Sequence, residues 1–493
     1  MNLGSLLLLI GTIAIVLTLI SSMVIRGKKN WILQFLQYFS GTLFIISGLV
    51  KAVDPLGTAY KMEQYFAEFE STFSATWMSW ISSIFPFLSG HSAGFAIVMI
   101  VLEILLGIML VLGTWKKLTA WAFFLLVVFF TILTGFTFLT GYVPSGGNFF
   151  DFGSWGPYTV SNMRVTDCGC FGDFIKLEPR VSFYKDLVLL IPAVYFLFVY
   201  RSMYSLLSET YGRQITLGLG GLVLVFCLYS TYWNLPVVDF RPFREQVNLR
   251  AQKIAEEDAQ ANVEITGWLL KHKETGEVKT VPNEEYMANL TTYRGTWEVV
   301  DQVKSEPAIP ITKISDFEVS DQEGNDMTYD ILDAEGYSFM IVSYHLPEES
   351  AEETTVILQD TIWATDTIIA AQDTQIVRRI EQIDQQTLQV QNIQWDPSFL
   401  DVFREKINPL LDQAVNDQIK SYLITSFSSP ETLADFQEDS GFGHTIYLAD
   451  DILLKTIIRS NPGIVLMKDG VILKKWHYRH IPSYDQIRSE WLN

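Results

Sequence analysis

Six apolar runs crowd the first half of this chain: Leu3 to Ile25, Trp31 to Val53, Ala93 to Thr114, Leu118 to Val143, Leu187 to Tyr200 and Ile215 to Val238. All but the fifth reach the ~20 residues that carry an α-helix across a hydrocarbon core about 30 Å thick. The fifth is shorter and leans on its aromatic flanks. In lipid, every backbone N–H and C=O must find its partner within the protein, so helical runs of this kind have one outcome, a bundle of spans. Leu3 to Ile25 reads as an anchor rather than a cleaved leader, because no basic residue precedes it, the run is long, and RGKKN follows it.

Orientation follows from the basic residues. Arg26, Lys28 and Lys29, then Lys116 and Lys117, then Arg201 and Arg213 fall in alternate short loops, which the positive-inside rule puts in the cytoplasm. The N-terminus, the loop from Pro144 to Lys185 and everything after Phe240 then lie outside it. In a bacterial cell this describes a multi-pass inner-membrane protein with a periplasmic C-terminal domain, and its outer cysteines meet an oxidising compartment. Charge divides the chain at the same place. Up to Phe240 there are 13 Lys and Arg against 12 Asp and Glu, and from Arg241 onward 22 against 43, which accounts for nearly all of the net charge of −20. So acidic a domain repels phosphates, which excludes nucleic acid and anionic lipid as its partners.

Two of the three cysteines stand in one stretch, TDCGCFGDF, as Cys168 and Cys170. A bridge between positions i and i+2 needs the backbone to turn, and Gly169 and Gly172 allow that. So short a loop gains little from closure entropy, which suits exchange better than stapling. The spacing alone leaves two readings equally open: a redox-active pair, or a structural role as an inert staple of the loop or two buried small residues. Zinc is disfavoured, since it wants four ligands and no histidine stands between His91 and His272. Cys227, midway along the sixth run, reads as a small packed hydrophobe. Inside the bundle, Lys51 ends the second run beside Asp54, and Glu103 interrupts the third in VLEILLG. An intramembrane carboxylate is costly and pairs or faces a polar cavity, which makes Lys51 and Glu103 a polar bundle pair, either functional or a bridge fixing two helices.

SGLVKAVDPLG, LEILLGIMLVLG and DCGCFGD together resemble the DoxX and MauE group of four-helix membrane proteins, over about residues 31–200. MauE-like proteins are named for methylamine utilisation and tied to making a disulfide-rich dehydrogenase subunit. The resemblance implies a redox-associated bundle with Cys168 and Cys170 as the candidate catalytic pair and Lys51 and Glu103 as its polar pair. No cofactor is required by the sequence, and a quinone is compatible with it.

The acidic half alternates strands and helices: EITGWLLKHKETGEVKTVP as a hairpin, ISDFEVSDQEGNDMTYDIL as an alternating strand, SFMIVSYHL as a buried central strand, then helix, strand, helix, strand, helix and a closing hairpin at Asp469 and Gly470. This α/β order resembles the thioredoxin fold of TlpA-like proteins, with Pro462 in IRSNPGIVLMKDG at the family's cis-proline position. Where that family carries CxxC, this chain reads SYHLPEESAEE, so the domain is degenerate and cannot exchange disulfides. The expected organisation is an anchor (1–30), a bundle with the CGC loop (31–200), a sixth helix (201–240), a linker with a small strand region (241–310) and the thioredoxin-like domain (311–493), with an insertion around 350–398. The leading function is disulfide exchange or maturation of periplasmic client proteins, as a thiol-disulfide oxidoreductase component whose C-terminal domain holds the client. The alternative is a non-enzymatic scaffold of the cell envelope. A transporter of a small hydrophobic or quinone-like molecule is weaker, since no inverted repeat or pair of Gly/Pro-broken spans stands out.

Overall fold

The computed structural model describes residues 2–24, 30–165, 169–370 and 373–492, with backbone pairing alone for 351–392. Arg26, Lys28, Lys29 and Cys168 lie outside the described residues. The chain divides into two compact units, one of 1–244 with 251–315 and one of 245–250 with 316–493.

Among the described residues of the first unit, six helices are long and apolar enough to cross a membrane. They are α1 (Leu3–Val24), α2 (Trp31–Val53), α4 (Ser92–Leu112), α5 (Lys116–Thr140), α6 (Pro179–Val199) and α7 (Glu209–Tyr232), with the less apolar α3 (Pro55–Ser74) following α2. The chain turns from α2 into α3 at Asp54, whose side chain accepts the Gly57 N–H at 3.1 Å while Pro55 occupies the first helical position. Without a hydrophobic drive between helices in lipid, close packing holds spans together, and small residues permit it. A Cβ on Gly41 would lie 2.9 Å from the Gly107 carbonyl oxygen, and one on Gly107 would lie 2.8 Å from that of Gly41. Thus α2 and α4 run antiparallel in near backbone contact. Lys51, one turn past Gly48, and Glu103, one turn before Gly107, are brought level by that packing.

Two spans differ from the sequence reading. The fifth is full length, since the helix begins at Pro179 rather than near Leu187 and takes in Lys185 and Asp186. Proline's fixed φ suits a first helical turn, so a residue that reads as a breaker here starts the helix. The sixth begins at Glu209, where Arg213 pairs with Glu209 one turn on, and stops at Tyr232, short of Pro236.

Past the spans, this unit also holds an antiparallel sheet in the order β2-β1-β3, of β1 (Ile265–His272), β2 (Val278–Pro282) and β3 (Trp297–Lys304). The buried Glu256, on α8 (Leu249–Ala261), accepts the backbone N–H groups of Thr312 at 2.9 Å and Ser315 at 3.1 Å.

In the second unit, a five-stranded sheet has the order β10-β9-β4-β7-β8, of β4 (Tyr337–Ser343), β7 (Lys420–Ser426), β8 (Thr445–Ala449), β9 (Gly463–Lys468) and β10 (Val471–His477). β4, β7 and β8 are parallel, while β9 runs antiparallel to β4 and to β10; Ile341 sits opposite Leu423 on one side and Ile464 on the other. Phe339, Met340, Ile341 and Val342 are fully buried in succession, the pattern of a strand covered on both faces. Each such side chain contributes about 1.5–3 kcal/mol on burial. The segment after the last span joins this unit: the Gln246 N–H donates to the Ile472 carbonyl at 2.7 Å and the Ile472 N–H to that of Val247 at 3.0 Å.

ISDFEVSDQEGNDMTYDIL does not form the strand that its alternation suggests. Ser320 makes only isolated bridges, to Asp326 and Leu448, and Thr328–Leu332 is helical. The Asp321 carboxylate accepts the N–H groups of Glu323 at 2.9 Å and Asn325 at 2.8 Å, so a side chain takes donors that a ladder needs. The 350–398 region is a long antiparallel hairpin, β5 (Glu348–Ala370) with β6 (Asp373–Trp395).

Candidate functional site

The α2–α4 seam ends in an ion pair. Lys51 Nζ donates to Glu103 Oε2 at 2.7 Å, and the residues are 7% and 3% exposed. Phe130 from α5 covers one side of the ammonium, with its ring centre 5.0 Å away. A second pair lies on α6, where Lys185 Nζ donates to Asp186 Oδ1 at 2.5 Å. Thr134 on α5 donates its hydroxyl to the other oxygen of Asp186 at 3.0 Å, which leaves that buried carboxylate held from two helices. Two unpaired charges in a bundle would cost several kcal/mol each, and pairing is what makes them tolerable.

Both pairs line one cavity, and Cys170 lines it too. The loop delivers the cysteine there because its apolar residues plug the bundle: Phe171, Ile175 and Leu177 join the core formed by Leu43, Phe44 and Leu189. Ser47 on α2 donates its hydroxyl to the Cys170 carbonyl at 2.9 Å, pinning the backbone. Gly169 just before it has φ +61° and Gly172 just after has φ +51°, and the Gly172 N–H closes a turn on the Gly169 carbonyl at 3.2 Å. Burial pushes the Cys170 thiol up from its ordinary value, with Lys185 and Lys51 opposing that and Asp186 and Glu103 adding to it. The rest of the lining is mostly apolar, including Met62, Met99, Ile100, Val127 and Leu133.

Of the residues singled out in the sequence, Lys51, Glu103 and Cys170 meet at this cavity, while Cys168 lies outside the described residues. Cys227 is fully buried on α7 among Ile100, Ile104 and Val223, apart from the cavity. Pro462 stands in the other unit, after a cis peptide bond with Asn461. There Asn461 Nδ2 donates to the His345 carbonyl at 2.9 Å and Ser343 donates to Asn461 Oδ1 at 2.9 Å, which ties that loop to the end of β4. Lys185, Asp186 and Thr134 were not anticipated. The signal for the first two was a charged dipeptide, KD, between aromatic and leucine-rich residues, and it is informative only once the helix is known to start at Pro179. Among the described residues, no group of three or more His, Cys, Asp or Glu is placed to hold a metal ion.

Compared with known families, residues 29–149 match the family described as "Methylamine utilisation protein MauE", about a quarter of the chain. That stretch holds Lys51 and Glu103 and stops short of Cys170 and Lys185. The match and the six apolar helices together describe a MauE-like multi-pass membrane protein. No curated protein and no solved structure matches the chain.

Proposed function

We propose that this membrane protein carries out thiol–disulfide exchange through Cys168 and Cys170, in support of the folding or maturation of proteins outside the cytoplasm. The single observation that carries the reading is that Cys170 opens onto the cavity shared by the Lys51–Glu103 and Lys185–Asp186 pairs. In the step, a client thiolate attacks the Cys168–Cys170 bridge and forms a mixed disulfide. A second client thiolate then displaces the chain's cysteine, closing the client disulfide and leaving both chain cysteines reduced. Two electrons pass to the chain, and the sulfurs that leave as thiolates take up protons. Lys185 and Lys51 offset part of the penalty that burial places on a Cys170 thiolate, and the neighbouring carboxylates can take and return its proton.

The reading places the chain in a bacterial inner membrane, with the cysteine loop and the second unit on the periplasmic side. The second unit is then a thioredoxin-like domain that has lost its CxxC and holds the client. Its supports are the five-stranded sheet in which β9 runs against the other four strands, and the Asn461 contacts that bring the loop before β9 to the end of β4. Tethering such a domain gives millimolar effective concentration without tight binding.

The test is the double variant Cys168→Ser/Cys170→Ser in cells. The reading requires normal insertion with loss of client disulfide exchange, scored by alkylation of client thiols. A stable double variant with unchanged client oxidation would leave the envelope-scaffold role in its place.

A further inference from the structure

We infer that residues 75–91, which join α3 to α4, form an interfacial segment seated in the lipid of the leaflet on the cysteine-loop side. The inference stands on the first unit alone and needs nothing of the exchange reading. The segment folds as two short helical turns, Ser79–Ser82 and Ile84–Gly90. One side of it packs on the protein. The centre of the Phe85 ring lies 5.6 Å from that of Phe69 and 5.7 Å from that of Phe73, and Leu88 rests on the cluster of Met62, Tyr65 and Leu133.

The other side is apolar too. Trp77, Trp80, Ile84 and Phe87 recur at steps of three and four residues, and all four are exposed, Trp77 by 85% and Trp80 by 69%. A helix that is apolar on both sides belongs where neither side meets water. Each large apolar side chain left in water forgoes about 1.5–3 kcal/mol. Charge agrees with this, for no Asp, Glu, Lys or Arg stands between Glu70 and Glu103. The one ionisable side chain of the segment, His91, turns its Nδ1 onto the Phe87 carbonyl at 2.8 Å. Docking surfaces for soluble proteins carry a polar rim, which an uncharged strip of this kind does not supply.

Depth points to lipid as well. Tyr65 and Thr137 share a hydrogen bond at 2.9 Å, the Phe69 and Phe136 ring centres are 4.8 Å apart, and Asn148 donates to the Thr72 carbonyl at 3.0 Å. These contacts bring the end of α3 level with the end of α5. The 25 residues of α5 rise about 37 Å, enough for the hydrocarbon core and part of the head-group layers. The segment after Ser74 therefore starts at the boundary of membrane and water, where tryptophan is favoured for its apolar ring and polar N–H. Beyond the segment the strip runs on: Val98 and Leu102 are exposed on α4, a helix long and apolar enough to span. Continuity with that lipid-facing surface selects lipid over a protein partner.

The experiment uses the full-length chain in its native membrane, with the photoreactive residue p-benzoyl-phenylalanine placed singly at the position of Trp80, Phe87 or Val98. The Val98 position, on a span, sets the lipid signal. Irradiation should give phospholipid adducts at the other two positions in comparable yield, read from the mass of the labelled peptides, and high salt should not reduce them, since no charge holds the segment. Adducts with a protein at those two positions, or lipid adducts at the Val98 position alone, overturn the inference. Depth is read in nanodiscs of phosphatidylcholine brominated either near the head group or near the chain ends. Trp77→Phe/Trp80→Phe should lessen the quenching of tryptophan fluorescence by the shallow bromines and leave that by the deep ones as it was. Shallow quenching that the two substitutions do not change overturns the inference too.

Discussion

Buried lysines occur in both units, in different surroundings. In the bundle, Lys51 meets a carboxylate 2.7 Å away and shares a cavity with a thiol. In the α/β unit, Lys475 is 5% exposed and donates to the Ile457 backbone carbonyl at 3.0 Å. That carbonyl contact stitches β10 to the last residue of α9 (Asp451–Ile457). The core of that unit is a continuous apolar cluster through Phe339, Ile341, Leu423 and Ile464, whereas the bundle spends its interior on four ionisable side chains around a void. The difference teaches where chemistry is to be sought: in the region whose burial of charge has no structural economy to justify it.

The sharpest way to break this comparison is to unpair the bundle charge. Glu103→Gln should destabilise the bundle by about 3 kcal/mol in denaturant unfolding from mixed micelles, because it leaves a desolvated ammonium, and adding Lys51→Met should restore part of the loss. Strictly additive losses would mean that the two side chains do not interact.

In the α/β unit the comparable lever is a histidine. His477 is buried, its Nδ1 accepts the Arg479 N–H at 3.2 Å, and burial, aided by Arg479, His480 and Lys406, pushes its imidazole down to about 4. The unfolded group titrates near 6.5, so below that pH the unfolded state binds the extra proton. The unit's stability should be full above pH ~6.5 and fall by about 3 kcal/mol as the pH drops toward ~4. His477→Gln should flatten that slope in thermal melts across the window. A slope that survives the substitution would assign it to other groups.

How much of this was legible in the sequence depended on the physical signal. Lys51 and Glu103 announce themselves, since a charge within an apolar run has few explanations. Lys185 and Asp186 do not, because PRVSFYKD scores as a loop until Pro179 is seen to start a helix. Thr134 looks like any threonine bonding back along its own helix, which it also does, to the Phe130 carbonyl at 2.9 Å. The central strand at 337–343 was plain from its unbroken apolar run, while the alternation around Phe317 misled because Asp321 caps its own turn. The long β5–β6 hairpin could not be foreseen, as its Thr-, Gln- and Ile-rich composition fits a strand or an irregular insertion equally.

Smaller effects sharpen the contrast further. Cys168→Ser/Cys170→Ser should cost less than about 1.5 kcal/mol, since a bridge across so few residues restrains the unfolded chain weakly. A larger drop in the bundle's melting temperature would favour a staple. Gly169→Ala should cost about 1 kcal/mol, for its φ of +61° disfavours a side chain and the new Cβ would lie 3.0 Å from Lys61 Cγ. The readout is a changed alkylation rate at Cys170 with the α/β unit's melt unmoved.

The central claim is that the bundle loop, and not the α/β unit, exchanges disulfides. Single variants Cys168→Ser and Cys170→Ser, expressed in intact membranes and quenched with acid, test it by trapping. The account predicts that one of the two accumulates a mixed disulfide with a protein outside the cytoplasm, that reductant dissolves it, and that Cys227→Ser leaves it unchanged. Absence of any adduct from both variants, with the wild-type cysteines found permanently reduced or permanently bridged, would contradict it.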